Sequence, residues 1–478
     1  MPLSRLRQDV KPLAALAVPL ALTQLAQVAL TTTDTVMMGL IGIEALAAGG
    51  LALVLFNQLR TMGVGLVTAV GNQVTAAAAR AETAEAGSVE GHGQVRGRDQ
   101  AGDDVRDLLR AALAVATLAG AIGAVLLVFS GHALTWLGQD AAVVRSMQPM
   151  LVALAPGLLP CLWFQAIRQF TVGMRRPQAL LRITLASVAV NAGLNWVLIH
   201  GWWGLPKVGL AGIGVATSLV YLLSFIALYA SARRDPVLAP MLSLRIWRVR
   251  PATLRRLLGL GTPIAATYGS EAGFFSVVAL LIGSFGSSAL AAHTAVNQLI
   301  YIVFQVSVGL SHAASIGVSR EVALGRAGAA ARIARTALVC GAAVMTVVGL
   351  VYLAVPELVL RPFLDPSGGQ YRQTLDIATS LLLVAAVLQY VDCAQNIGVG
   401  LLRGLDDTRS GFRITLIGYW AIGLPAAWLI GAVAGAHTVG AWLGLLTGLA
   451  ATGGLLLRRF HRSLAAYGTR AQAVESPA

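Results

Sequence analysis

Hydrophobic positions along the chain gather into about a dozen runs of 20 or more residues, separated by short polar or arginine-bearing interruptions. Each run is long enough to cross roughly 30 Å of hydrocarbon as an α-helix. The short alternating segments that mark a membrane β-barrel are absent. The pattern predicts an all-α polytopic membrane protein with twelve transmembrane helices, centred near residues 25, 60, 118, 156, 188, 218, 270, 304, 340, 386, 420 and 445. Two stretches interrupt the rhythm. Residues 81–107, AETAEAGSVEGHGQVRGRDQAGDDVRD, are polar and mixed in charge, which predicts a flexible cytoplasmic insertion. The segment from Ser231 to Arg256 carries seven arginines and predicts a short amphipathic helix on the membrane surface.

That arginine-rich segment falls at the midpoint of the chain, and the halves on either side repeat. EALAAGGLALVLF…VGLVTAVGNQV aligns with SALAAHTAVNQLI…VGLSHAASIGV at an offset of 244 residues. RITLASVAV aligns with RITLIGYWA at an offset of 231, the difference an insertion such as 81–107 would produce. The repeat predicts two pseudo-symmetric six-helix bundles: an N-terminal lobe over 1–235, a basic linker over 236–256 and a C-terminal lobe over 257–478. Parallel repeats with a site near mid-membrane are a transporter design, worked by rocking one lobe against the other.

Composition agrees. Of 478 residues, 56% are hydrophobic and 12% charged, against about 25% charged in soluble proteins. A net charge of +14 would suggest nucleic acid in a soluble chain. Here it sorts by loop instead. Starting with the N-terminus inside, 30 of the 35 Lys and Arg residues fall on the cytoplasmic side, from Arg5 through Arg470. Arg145, Lys207, Arg361 and Arg372 lie opposite, and Arg60 stands inside the second helix. That asymmetry predicts a multi-pass protein of the cell inner (plasma) membrane with both termini cytoplasmic, and no nucleic-acid partner. Arg60 either neutralises an acid or snorkels to an interface. Trp202-Trp203 beside Lys207 reads as an anchor at the outer face. Cys161, Cys340 and Cys393 are scattered through apolar runs as small hydrophobes. The apolar run after Met1–Lys11 lacks a small-residue cleavage site and reads as the first helix, not a removed signal. There is no P-loop, metal-ligand cluster or serine–histidine constellation, so neither ATP-driven transport by this chain alone nor enzyme chemistry is expected, and no cofactor.

Three acids stand alone inside apolar runs: Asp34 in ALTTTDTVMMG, Glu271 in YGSEAGFFSVVALLIG and Asp392 in VLQYVDCAQNIGVG. A charge near the bilayer centre costs about 2.5–3.5 kcal/mol even on the lenient insertion scale. Such residues persist where they face protein interior or a watery cavity, so their first reading is an ion or substrate site. Glu271 aligns with Gln27 at the 244 offset, and a repeat that does not preserve the carboxylate argues against a purely architectural role.

Taken in order, TTDTVMMG, VNAGLNWVLIHG, GLAGIGVATSLV, the lone Glu271 and QYVDCAQNIGVGLLRGLDDTR resemble the multidrug and toxic compound extrusion (MATE) family, and its NorM-type branch most. The resemblance covers roughly residues 10–460. It implies that Asp34 is the cation-binding carboxylate of the N-terminal half, with Asn191 and Asn195 on one face of the fifth helix and Thr217 on the sixth. A carboxylate with amide and hydroxyl oxygens suits sodium; the same carboxylate, desolvated, can carry a proton. Glu271 and Asp392 are implied as a second cation site or as charged cavity walls. No metal is expected beyond sodium at Asp34 or at Glu271/Asp392. The Ala292-His293-Thr294 run departs from the family's Ala-His-Gln, and His293 reads as a packed helix-end residue. The implied function is antiport, by a monomer, of cationic or amphipathic small molecules out of the cytoplasm against sodium or protons. The alternative is a flippase for a lipid-linked cell-envelope precursor, which would need a basic cavity for pyrophosphate.

Overall fold

The computed structural model describes residues 3–87, 91–136, 141–201, 208–364 and 370–475. Among the described residues the chain is helical almost throughout, without a strand. Twelve helices are long and apolar enough to cross a membrane: α1 (Val10–Ile41), α2 (Glu44–Thr83), α3 (Gly102–Gly131), α4 (Ala142–Gly173), α5 (Gln178–His200), α6 (Leu210–Arg234), α7 (Pro251–Gly283), α8 (Ser287–Ala323), α9 (Ala327–Ala354), α10 (Tyr371–Gly404), α11 (Thr408–Val433) and α12 (His437–Tyr467). All twelve expected centres fall inside these spans. The polarity is that of a protein in lipid: Leu280, Phe129 and Val347 lie 75%, 64% and 63% exposed, while Asn72, Gln73, Gln165 and Gln389 are buried. The Trp202-Trp203 anchor and Lys207 lie outside the described residues.

Packing divides the chain into two compact units. One runs from Leu22 to Tyr268, around Met38, Phe56, Met147, Met150 and Ile213. The other joins Gly269 onward to the chain up to Ala21, around Phe274, Leu381, Tyr419 and Trp442. The halves read from the repeat begin at α1 and α7, whereas packing divides each of these helices between the units. Backbone contact explains where. A Cβ on Gly65 of α2 would lie 2.6 Å from the Cα of Ala265 on α7, and one on Gly309 of α8 would lie 2.6 Å from the N of Ala21 on α1. These two contacts map onto each other at the 244 offset. The 231 offset reappears as well: Gly173 packs against Gly71 and Val74, and Gly404 against Ser315 and Val318. Small residues bring such helix backbones together in lipid. Gly65→Leu or Gly309→Leu should therefore cost about 1–3 kcal/mol by overpacking, seen as a lower melting temperature in detergent; an unchanged melt would show that the crossing has room to spare.

Two expectations change outside the apolar spans. Residues 81–107 are not a structureless insertion where described. Helix continues from α2 to Gly87 and leads into α3 from Gly91, with 88–90 outside the described residues. Alanine and glutamate in AETAEA favour helix, and on the other side Asp103 and Arg106 pair one turn apart. The linker forms no amphipathic helix. It has two 3₁₀ turns, Ala239–Met241, which contains Pro240, and Ile246–Arg248, with extended backbone at Leu242 and Val249 after them. Asp235 folds the linker's start, accepting from Arg176 at 2.7 Å and from the backbone N–H of Val237 at 2.9 Å. Burial would raise the Asp235 carboxyl, but those bonds outweigh it and hold it below its usual range.

Candidate functional site

Helix α5 starts directly after Pro177 and stops where Gly201 takes a left-handed conformation (φ 71°), its N–H returning to the Val197 carbonyl. Between these stops, Asn191 and Asn195 stack one turn apart on a single face, and both are fully buried. Asp34 enters from α1 and Thr217 from α6, at 0% and 2% exposure. The four residues meet. Asn195 Nδ2 donates to Asp34 Oδ1 at 2.8 Å and to Asn191 Oδ1 at 3.0 Å. Thr217 Oγ1 donates to Asp34 Oδ2 at 3.0 Å, and Asn191 Nδ2 lies 3.5 Å from the same hydroxyl. Both carboxylate oxygens are thus held by neutral donors. Asn195 Oδ1 is buried with no hydrogen-bond partner.

The flanking threonines do not join this cluster. Thr31, Thr33 and Thr35 turn their hydroxyls back onto the carbonyls of Val28, Ala29 and Thr31, at 2.8–3.0 Å. Arg60 Nε donates to Asn57 Oδ1 at 3.1 Å on its own helix. Arg168, counted among the cytoplasmic arginines, lies near the end of α4 and is 2% exposed, because the helix continues to Gly173. It donates to Gln165 and Gln24, each at 3.0 Å, so amide oxygens rather than a carboxylate hold its charge.

The other two lone acids also approach each other. Glu271 on α7 and Asp392 on α10 interact electrostatically, and Arg403 acts on Glu271. Asp392 is buried, 7% exposed. Tyr419 Oη donates to Glu271 Oε1 at 3.4 Å while its ring stacks on Phe274 at 4.8 Å. Tyr419 and Trp420 sit in a π-helical stretch of α11, Ile417–Gly423, a wide turn often found at functional sites. Trp420 Nε1 donates to Ser270 Oγ at 2.8 Å, beside Glu271. Gln395, one turn from Asp392, engages the Tyr419 hydroxyl and leaves its own Oε1 without a partner. Tyr419 and Gln395 were not singled out from the sequence. The one available signal was that Tyr419 lies in the second RITL repeat, opposite the turn that leads to Asn191. His293 is buried, accepting the Trp442 indole N–H at Nδ1 (3.2 Å), with the rings edge to face.

Each cluster can neutralise one positive charge or more. An uncompensated carboxylate inside a non-aqueous interior is stable only with a cation or a proton. Two carboxylates within reach of each other compete for the same one.

Known proteins resemble the chain along nearly its whole length. The MatE family model matches residues 100–197 and 263–429. A probable multidrug resistance protein NorM of Burkholderia mallei is 36% identical over 463 residues, covering 96% of this chain and 94% of the relative. One from Pseudomonas aeruginosa is 36% identical over 443 residues, covering 92% and 87%. Among solved structures, the eukaryotic MATE transporter AtDTX14 superposes with a TM-score of 0.79 at 19% identity, covering 98% and 99%. A MOP superfamily transporter from Pyrococcus furiosus, described as having a binding pocket of reversed polarity, superposes at 0.83 with 14% identity, covering 96% of both chains.

Proposed function

Because the chain belongs to the multidrug and toxic compound extrusion family, and is a multi-pass membrane transporter rather than an enzyme, we propose that it is a secondary antiporter of the inner membrane with both termini inside. It exports cationic, amphipathic compounds in exchange for sodium ions or protons. The observation that carries this reading is the Asp34 cluster: a fully buried carboxylate bonded only to neutral groups, with the unpartnered Asn195 Oδ1 beside it. Carboxylate, amide and hydroxyl oxygens are the donors a hard monovalent cation takes. In this scheme Glu271 and Asp392 receive either a cation or the positive group of a substrate. Occupancy by one displaces the other, and exchange follows because both are not held at once. The flippase alternative would need a basic pocket at these positions, and carboxylates occupy them.

The test is substrate flux in proteoliposomes with the sodium and proton gradients imposed separately. One of the two is expected to drive uptake or release of a fluorescent organic cation. No movement under either gradient would sink the antiport reading.

A further inference from the structure

At the linker end of α3, four arginines converge on one pocket of about 550 Å³, within the roughly 300–1,000 Å³ usual for small-molecule sites. Arg106 and Arg110 come from α3, Arg245 and Arg248 from the linker, with Ser243 and Leu244 completing the wall. The nearby acids are already engaged. Asp103 pairs with Arg106, Asp104 with Arg250, and Asp107 accepts from the Arg250 backbone N–H and the Thr253 hydroxyl. Arg106 also clasps the Pro240 carbonyl, at 2.8 and 3.2 Å, and Arg110 Nε donates to Ser243 Oγ at 3.0 Å, so the linker is fastened to α3 and its exposed arginines line the pocket. Arg110, Arg245 and Arg248 have no carboxylate partner among the described residues. Three cations held around one concavity repel one another unless an anion joins them.

The surroundings indicate which anion. Arg110 immediately precedes the apolar run AALAVATLAGAIGAVLLVF, so the pocket sits where that span meets water. Beside it, Trp247 is 76% exposed and Leu244 44%. An exposed indole next to arginines is the pattern of a chain segment resting at the headgroup level. A soluble phosphate would need the arginines but not the apolar rim.

We propose that this pocket binds the phosphate headgroup of an anionic phospholipid, with Arg110, Arg245 and Arg248 on the phosphate and Trp247 and Leu244 against the acyl boundary. With the arginine-rich loops inside, as in the topology given above, the lipid belongs to the cytoplasmic leaflet. The bound lipid ties the linker between α6 and α7 to the membrane surface.

Native mass spectrometry of the full-length protein, titrated with phosphatidylglycerol or phosphatidylcholine, tests this. The native chain should hold one phosphatidylglycerol in preference to phosphatidylcholine. Arg245→Gln with Arg248→Gln should weaken that lipid about tenfold. A control removing two arginines elsewhere, Arg458→Gln with Arg462→Gln, should stay within about twofold. Trp247→Ala, which keeps every charge, should weaken the lipid but leave any inorganic phosphate binding unchanged. Equal losses in the two double variants would reduce the effect to general positive charge and overturn the proposal. Equal affinity for phosphatidylcholine would overturn it as well. Inorganic phosphate binding as tightly as phosphatidylglycerol, with Trp247→Ala silent, would assign the pocket to a soluble anion instead. None of these outcomes depends on whether the protein antiports, so they separate cleanly from the flux test.

Discussion

Asp34→Asn is expected to abolish gradient-driven export while leaving the protein at least as stable as the native chain. The two halves of this result come from the same geometry. Transport falls to the level of protein-free liposomes because the replacement amide carries no negative charge, and neither sodium nor a proton has a reason to stay. Stability holds because the side chain keeps its shape: its one oxygen can still accept from Asn195 Nδ2, and its N–H₂ can donate to the Thr217 hydroxyl, which rotates to accept. Removing a buried charge also acts in the stabilising direction. Melting curves in detergent supply a second readout. If sodium is the coupling ion, adding it at a hundred times its Kd should stabilise the native chain by about 2.7 kcal/mol and leave Asp34→Asn unmoved. Normal export by a stably folded Asp34→Asn protein would remove this cluster from the mechanism.

Much of that cluster could be read before any coordinates, for a physical reason. A carboxylate inside an apolar run is expensive, so Asp34 identified itself by cost alone. Asn191, Asn195 and Thr217 came from the family resemblance, and the four-residue spacing added only that the two amides share a helix face. What periodicity does not carry is the direction of a hydroxyl. Thr31, Thr33 and Thr35 flank Asp34 in the sequence, yet each satisfies its own helix backbone. A charge near the end of an apolar run, such as Arg168, looks like the start of a loop; the continuation of α4 to Gly173, and the amides of Gln24 and Gln165, show that it is buried within protein. Tyr419 was invisible for the opposite reason: an aromatic residue in an apolar helix has many uses, and the π-helical turn that contains it leaves no mark in the sequence. The linker's seven arginines suggest a surface helix, whereas it folds into two 3₁₀ turns joined by extended backbone. The repeat, by contrast, was legible in detail. The offsets of 244 and 231 relate the Gly65–Ala265 contact to Gly309–Ala21, and Gly173–Gly71 to Gly404–Ser315. Close backbone crossings require small residues, and the repeat preserves small residues at the contact points.

Glu271→Gln and Asp392→Asn should each reduce export of organic cations at least about tenfold, and the double variant should be no worse than the poorer single one. Charges that act on each other within one cluster give non-additive effects, and these two are coupled through their mutual field. Once one acid is neutral, the other no longer has a partner with which to share a proton or a cation, so the second substitution removes little more. Tyr419→Phe separates charge from shape in the same cluster. It deletes a hydroxyl that reaches Glu271 at a long 3.4 Å but keeps the ring stacked on Phe274, so a loss of no more than a few-fold is expected. Concentration dependence then distinguishes the two roles open to these acids. If they bind the substrate's positive group, the single variants raise the half-saturating substrate concentration and leave the response to the coupling gradient intact. If they bind the coupling ion, they flatten the gradient dependence and leave half-saturation unchanged. Multiplicative losses in the double variant would show that Glu271 and Asp392 work independently, and the second cluster would have to be divided into two separate sites.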